Sequence, residues 1–171
     1  MLEKDDWKLA LEDARHRHNA ILGLIHAADN QALTLMRLYV TLGSAAAAGA
    51  VAMFSAQPRV AVPLVCALAS AIATLAYGTF KCFSVINSAG VNLPGRGAEF
   101  WLWAADERVQ RVEVFKSYLR ELAEKHKVNN SLNESQTASL GRAKLAGIWT
   151  PLAALVVGSS AALIQYLTTL C

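Results

Sequence analysis

Three long stretches of this 171-residue chain contain no Asp, Glu, Lys or Arg: residues 38–56, 60–80 and 145–171. An α-helix of about 20 residues spans the roughly 30 Å hydrocarbon core of a bilayer. Buried helices of soluble proteins are seldom so long and so uniformly apolar. We therefore expect an all-α membrane protein with three transmembrane helices, a hairpin followed by a C-terminal helix, together with long amphipathic cytoplasmic helices.

Residues suited to catalysis or metal binding are also scarce. The 3 Cys residues form no CxxC motif and have no His partner at a spacing typical of zinc sites. No Ser or Cys nucleophile has an evident base, and the apolar stretches contain no pair of carboxylates. We expect no enzyme activity and no cofactor, and a mechanism based on assembly or gating.

Basic residues are nearly absent from one side of the predicted membrane segments. Of the 16 Lys and Arg residues, only Arg59 lies between the first two apolar stretches; the others fall in residues 1–37 or 81–144. The positive-inside rule then places the N-terminus in the cytoplasm and Cys171 outside. A net charge of only +3 gives no support for binding to duplex nucleic acid.

The remaining sequence divides the chain into four segments. Residues 1–37 are predicted to form an N-terminal amphipathic cytoplasmic helix, 38–80 the transmembrane hairpin with a turn at 57–59, 81–143 a cytoplasmic loop, long helix and polar linker, and 144–171 the third transmembrane helix. In the first segment, apolar or small residues recur at alternating spacings of four and three, which is typical of helices that pack on helices. These residues are Trp7, Leu11, Ala14, Ile21, Ile25, Ala28, Ala32 and Leu35.

The same spacing continues through Tyr39, which favours one continuous helix that extends from the N-terminal segment (residues 1–37) into the first apolar stretch. Asp29 and Asn30 could instead cap a new helix and mark a bend. His18 also falls on this face. It is either a pH- or ligand-sensing group or a polar residue that fixes the register of the helix packing.

Residues 87–97 are predicted to be a loop because three Gly and one Pro occur within them, and residues 98–128 a long helix. Its apolar face consists of Trp101, Ala105, Val112, Phe115, Leu119 and Leu122. Arg108 falls on that face, so it needs either an acid such as Asp13 or Asp29 or an anionic ligand. Residues 129–143 are predicted to be the polar linker.

Cations and indoles of this helix suggest a binding site for a nucleotide, with phosphates on the cations and the base on indole. The candidate ligand-binding residues are Arg108, Arg111, Lys116, Arg120, Trp101 and Trp103. The alternative is a solvated basic flank with two interfacial tryptophans. In the hairpin, hydroxyl groups could line a narrow pore, or could bond to their own backbone. These candidates are Thr41, Ser44, Ser55, Ser70 and Thr74.

The predicted N-terminal helix is amphipathic, and it leads into a tight hairpin with a turn of Gln57, Pro58 and Arg59. The helix that follows contains Phe-Trp-x-Trp and, further on, Val-Phe-Lys-Ser-Tyr-Leu-Arg-Glu-Leu. Together these features resemble the SLATT-type membrane effectors of bacterial nucleotide-signalling anti-phage defence. The resemblance covers residues 5–130, and the third membrane helix departs from the family's two-helix core. It implies a homo-oligomeric pore-forming effector in the bacterial inner membrane, with a tetramer as the expected assembly.

The resemblance also implies control by a cyclic or linear nucleotide made by a partner nucleotidyltransferase. Two other functions are compatible with the sequence. One is a holin-like lesion former that needs no ligand, and the other is an accessory or scaffold subunit of a larger membrane complex.

Overall fold

A computed structural model describes residues 4–56, 58–87 and 90–170, with the side chains of 4–6 and 58–61 left aside. The described residues form four helices and no strand: α1 (Lys4–Ala56), α2 (Pro58–Ile86), α3 (Ala98–Ala104) and α4 (Arg111–Leu170). Three of these, α1, α2 and α4, are long and apolar enough to cross a membrane. The predicted turn lies where α1 ends and α2 begins, but Gln57, the Arg59 side chain and Cys171 lie outside the described residues.

The chain forms two compact units. Unit 1 consists of residues 1–27 and 88–135, and unit 2 of residues 28–87 and 136–171. Unit 1 therefore contains the charged N-terminal part of α1, the loop after α2, α3 and the first part of α4. Unit 2 contains three helical segments, one each from α1, α2 and α4.

Helix α1 runs without interruption from Lys4 to Ala56, so Asp29 and Asn30 do not begin a new helix. Its buried residues confirm the predicted packing face, because each of them lies on the four-and-three spacing. They are His18, Ile21, Ile25, Ala28, Ala32 and Tyr39. Leu42, which continues the same spacing, is 48% exposed, so the buried face ends before it.

The prediction of a polar linker at residues 129–143 is wrong, because α4 continues through all of it. The buried residues of α4 keep a spacing of three, four or seven across this region: Tyr118, Leu122, Asn129, Gln136, Leu140, Ala143 and Ala146. Two of the packing positions hold amides, each of which has a bonding partner. In unit 2, Gln136 Nε2 donates to Asp29 Oδ1 (3.1 Å) and to the Val85 carbonyl (3.2 Å).

The prediction of one helix over residues 98–128 is also wrong. Helix α3 ends at Ala104 and α4 begins at Arg111, with a turn between them. The Asp106 side chain accepts a hydrogen bond from the Arg108 backbone N–H (2.9 Å), and the Asp106 carbonyl accepts one from Val109 N–H (3.0 Å). Asp favours such turns because its carboxylate can bond to the backbone two residues on. The break leaves Trp101, Ala105 and Val112 exposed.

The loop that ends at Gly97 is held by one face of α4. Four residues of α4 spaced four apart contact it: Ser117, Glu121, Lys125 and Asn129. Arg96 pairs with Glu121 and donates to the Ser117 carbonyl (2.7 Å), and its guanidinium lies 4.2 Å from the centre of the Phe100 ring. Through these contacts of Arg96, the glycine-rich loop has a structural role in unit 1.

In unit 2, the Tyr39 ring of α1 lies against one glycine from each of the other two helical segments. A β-carbon on Gly78 would lie 2.7 Å from Tyr39 Cε2, and one on Gly147 would lie 2.5 Å from Tyr39 Oη. The Tyr39 hydroxyl donates to the Ala143 carbonyl (2.8 Å), one turn before Gly147. Glycine is therefore required at both positions to admit the ring, as is typical of closely packed membrane helices.

Candidate functional site

A cavity of about 630 Å³ in unit 1 combines aromatic walls with two cations. We call it the basic-aromatic cavity; it is lined by Trp7 and Lys8 of α1, by Trp101, Ala104 and Ala105 around α3, and by Arg111, Val112, Val114 and Phe115 of α4. Its volume lies in the range that is usual for small-molecule binding sites, about 300–1,000 Å³. Apolar walls with a few cations suit a ligand that has both a flat ring and negative charge.

The break between α3 and α4 helps to form this cavity. Trp101 and Val112 would lie on one face of a continuous helix, but the turn at 105–110 places them on separate helices that both line the cavity. Trp7 stacks on Phe115, with ring centres 5.9 Å apart and an angle of 18° between the planes. Trp101 is 51% exposed and lines the cavity, so part of its indole is accessible to a ligand.

Two of the six predicted ligand-binding residues, Trp101 and Arg111, line the basic-aromatic cavity. Lys116 and Arg120 are exposed on α4 and do not line it. Trp103 instead lines a second cavity of unit 1. The sequence alone does not indicate Trp7 and Lys8 as ligand contacts, because their proximity to Arg111 depends on how the N-terminal helix packs on α4.

Arg108 does not lie on a packing face, contrary to the prediction. The residue lies in the turn between α3 and α4, and its side chain is exposed, so it places no cation on a packing face. Asp29, one of the two acids suggested as its partner, bonds to Gln136 instead. Nothing about the burial of Arg108 therefore requires an anionic ligand.

The second cavity, of about 450 Å³, is less suited to an anion. Arg96 lines it but is already paired with Glu121, which lines it as well. Glu99 adds another acid to the wall. A negatively charged ligand would meet two carboxylates and one neutralised cation there, so we favour the basic-aromatic cavity.

His18 anchors the loop and is fully buried. Its Nε2 lies 3.0 Å from the Asn92 carbonyl, which also accepts from Asn129 Nδ2 (2.9 Å), while Asn129 Oδ1 accepts from the Asn92 backbone N–H (3.0 Å). His18 thus fixes packing within its own chain.

On the same side of α4, partial burial lowers the pKa of His126, and the nearby Arg17 and His18 lower it further.

The five predicted pore-lining residues do not come together within one chain. Thr41, Ser44 and Ser55 are exposed on one side of α1, and Thr41 and Ser55 donate to the carbonyls four residues earlier. Ser70 and Thr74 are half-buried on α2, where Thr74 Oγ1 donates to Thr150 Oγ1 of α4 (3.0 Å). Bonding to the helix's own backbone is therefore observed for Thr41, Ser55 and also Ser70, whose hydroxyl donates to the Ala67 carbonyl (2.8 Å).

Comparison with protein-family models, with curated proteins and with solved structures found no match to this chain.

Proposed function

We propose that the protein is a homo-oligomeric membrane effector whose ion-conducting pore is controlled by a nucleotide bound in the basic-aromatic cavity. The observation that carries this proposal is the combination of the Trp101 indole with Arg111 and Lys8 around one open volume of about 630 Å³. A base can stack on the indole while phosphates contact the two cations. The resemblance to SLATT-type effectors supports the same ligand class and a role in anti-phage defence.

The composition of α1, α2 and α4 supports the membrane part of the proposal. Each is long and apolar enough to cross a bilayer, and the basic residues of the chain favour a cytoplasmic N-terminus. The exposed side of α1 carries Thr41, Ser44 and Ser55 among alanines. A pore formed by several copies would use this side, because hydroxyls bonded to their own helix remain available to water and ions.

A nucleotide can control the pore only by binding one conformational state more tightly than the other. In this proposal a partner nucleotidyltransferase supplies the nucleotide, and unit 1 binds it on the cytoplasmic side. The protein itself acts through assembly and gating.

The test is ion flux through liposomes that contain the purified protein, with and without a panel of cyclic and linear oligonucleotides. We expect one nucleotide to change the flux. Arg111→Ala should weaken that response by about 10- to 100-fold, the effect of removing one hydrogen bond to a charged group. Lys116→Ala is the matched control, because Lys116 is an exposed cation of α4 outside the cavity.

Three outcomes would contradict the proposal in different ways. Equal responses of the Arg111 and Lys116 variants would place the ligand elsewhere. Flux that ignores every nucleotide would favour the holin-like lesion former. A protein that gives no flux alone but binds a stable partner would be an accessory or scaffold subunit.

A further inference from the structure

We infer that unit 2 carries a binding site for an anionic phospholipid in the groove between α2 and α4; this inference rests on the proposed insertion of these helices in a membrane. The groove has a volume of about 420 Å³. Ala73, Thr74 and Tyr77 of α2 form one wall, and Arg142, Leu145, Ala146 and Trp149 of α4 form the other.

The groove is apolar along its length and basic at one end. Leu145 and Trp149 are more than half exposed on its α4 side, so an acyl chain can lie against them. Arg142 stands one turn before Leu145, at the point where the charge-free part of α4 begins. A phospholipid has the same arrangement, with a charged headgroup at one end of its apolar chains.

A second cation stands beside the same end of the groove. Lys81 of α2 places its Nζ 5.5 Å from the centre of the Tyr77 ring and 5.7 Å from that of Phe80. Long basic side chains at the end of a membrane helix extend toward the headgroups in this way. Tyr77 and Trp149, aromatic residues of the types found at membrane interfaces, also line the groove.

The charges of these cations are not balanced by acidic residues nearby in the sequence. Residues 30–98 and 135–171 contain no Asp or Glu, so neither α2 nor the membrane part of α4 offers a carboxylate to Lys81 or Arg142. An anionic headgroup supplies the missing charge. Basic pockets between membrane helices on the cytoplasmic side bind anionic lipid headgroups for this reason.

The test uses Trp149 as the reporter, in a full-length variant in which Trp7, Trp101 and Trp103 are replaced by Phe. The variant is reconstituted in phosphatidylcholine vesicles that contain a small fraction of a brominated lipid, either phosphatidylglycerol or phosphatidylcholine. Bromine on the acyl chains quenches a neighbouring indole. We expect a preference of roughly 30-fold for the brominated phosphatidylglycerol, because each of the two basic side chains gains about 1 kcal/mol near an anionic surface.

Replacing both cations, Lys81→Gln with Arg142→Gln, should abolish the preference. Lys144→Gln should preserve it, because Lys144 bonds to Gln31 (3.2 Å) and lines a different groove. Soluble glycerol phosphate at millimolar concentration should not change the quenching. Competition by it would show a site for free anions and would overturn the lipid assignment.

The same measurement separates this inference from the membrane proposal. Equal quenching by the two brominated lipids would leave α4 in the bilayer but would overturn the anionic-lipid site. Quenching by neither lipid would mean that Trp149 does not meet acyl chains, and would overturn the membrane proposal as well.

Discussion

In unit 2 the Tyr39 ring fits against Gly78 and Gly147, where a methyl group has no room, whereas in unit 1 the Asn129 amide and His18 hold the backbone of Asn92. The first arrangement depends on shape and the second on hydrogen bonds. In lipid, where we propose that unit 2 lies, apolar burial drives little association between helices, so close contact between backbones has to contribute more. In water, where we propose that unit 1 lies, a buried amide is retained only if its polar atoms are paired.

In unit 2 the largest effect is expected from Gly147→Ala. Its β-carbon would lie 2.5 Å from Tyr39 Oη, and overpacking of this kind costs about 1–3 kcal/mol. Denaturant unfolding of the detergent-solubilised protein measures the loss. Gly141→Ala is the control on the same helix, because no atom of the described residues outside the surrounding turn of α4 lies within 4 Å of the added β-carbon.

The control should be neutral or gain up to about 1 kcal/mol from the better helix propensity of Ala. Adding Tyr39→Phe to Gly147→Ala should recover part of the stability, because it removes the clashing hydroxyl. If Gly147→Ala and Gly141→Ala unfold alike, close packing at Tyr39 does not stabilise unit 2.

For unit 1, Asn129→Ala tests the hydrogen-bonded contact. The substitution removes both bonds to Asn92 and should cost about 1–3 kcal/mol, since the buried groups of the loop lose their partner. Hydrogen exchange at the Asn92 amide, which donates to Asn129 Oδ1, should become faster. Asn130→Ala, which removes only an exposed bond to Glu134, should leave that amide protected; equal exchange in the two variants would refute the role of Asn129.

A smaller effect is expected from one of the hydrogen bonds between helices of unit 2. Thr74→Val removes the bond to Thr150 and keeps the shape, so the cost should be about 0.6 kcal/mol, the average for such bonds in membranes. Thr79→Val is the control, because Thr79 bonds to the Leu75 carbonyl of its own helix. A loss for Thr74→Val as large as for Gly147→Ala would remove the contrast between the two units.

The smallest effect concerns pH and unit 1. The pKa of His126 lies below its ordinary value of 6.5 in the folded protein, so the unfolded chain takes up a proton first. The stability contributed by neutral His126 is present above about pH 6.5 and is lost as the pH falls through the lowered pKa.

Thermal unfolding at pH 7.5 and at pH 5 measures this loss, which should be smaller in His126→Gln than in the unmodified protein. His26→Gln is the control, because His26 is exposed on α1. The same acid sensitivity in both variants would assign the effect to other groups.

The packing face of α1 could be predicted from the sequence because its residues are apolar or small at a regular spacing, from Ile21 to Ala32. The same regular spacing in α4 was missed, since Asn129 and Gln136 occupy two of its positions and polar residues there suggest a linker. Their partners, the Asn92 backbone and Asp29, become neighbours only in the folded chain.

The candidate site was predicted in part for similar reasons. Trp101 and Arg111 are close in sequence, and both line the basic-aromatic cavity. Trp7 and Lys8 are about a hundred residues away, so no local pattern connects them to Arg111. Arg108 was misjudged because a turn formed by Asp106, with no Gly or Pro, interrupts an otherwise helical pattern.

The contact of Tyr39 with Gly78 and Gly147 also has a consequence for how this sequence can diverge. A change to Ala at either glycine should be harmful while Tyr39 is present, and should be better tolerated once position 39 holds a smaller side chain. The three positions lie on three different helices, yet substitutions at them should arise together. In an alignment of related chains they would therefore appear as a covarying set, with Tyr at position 39 accompanied by Gly at both 78 and 147.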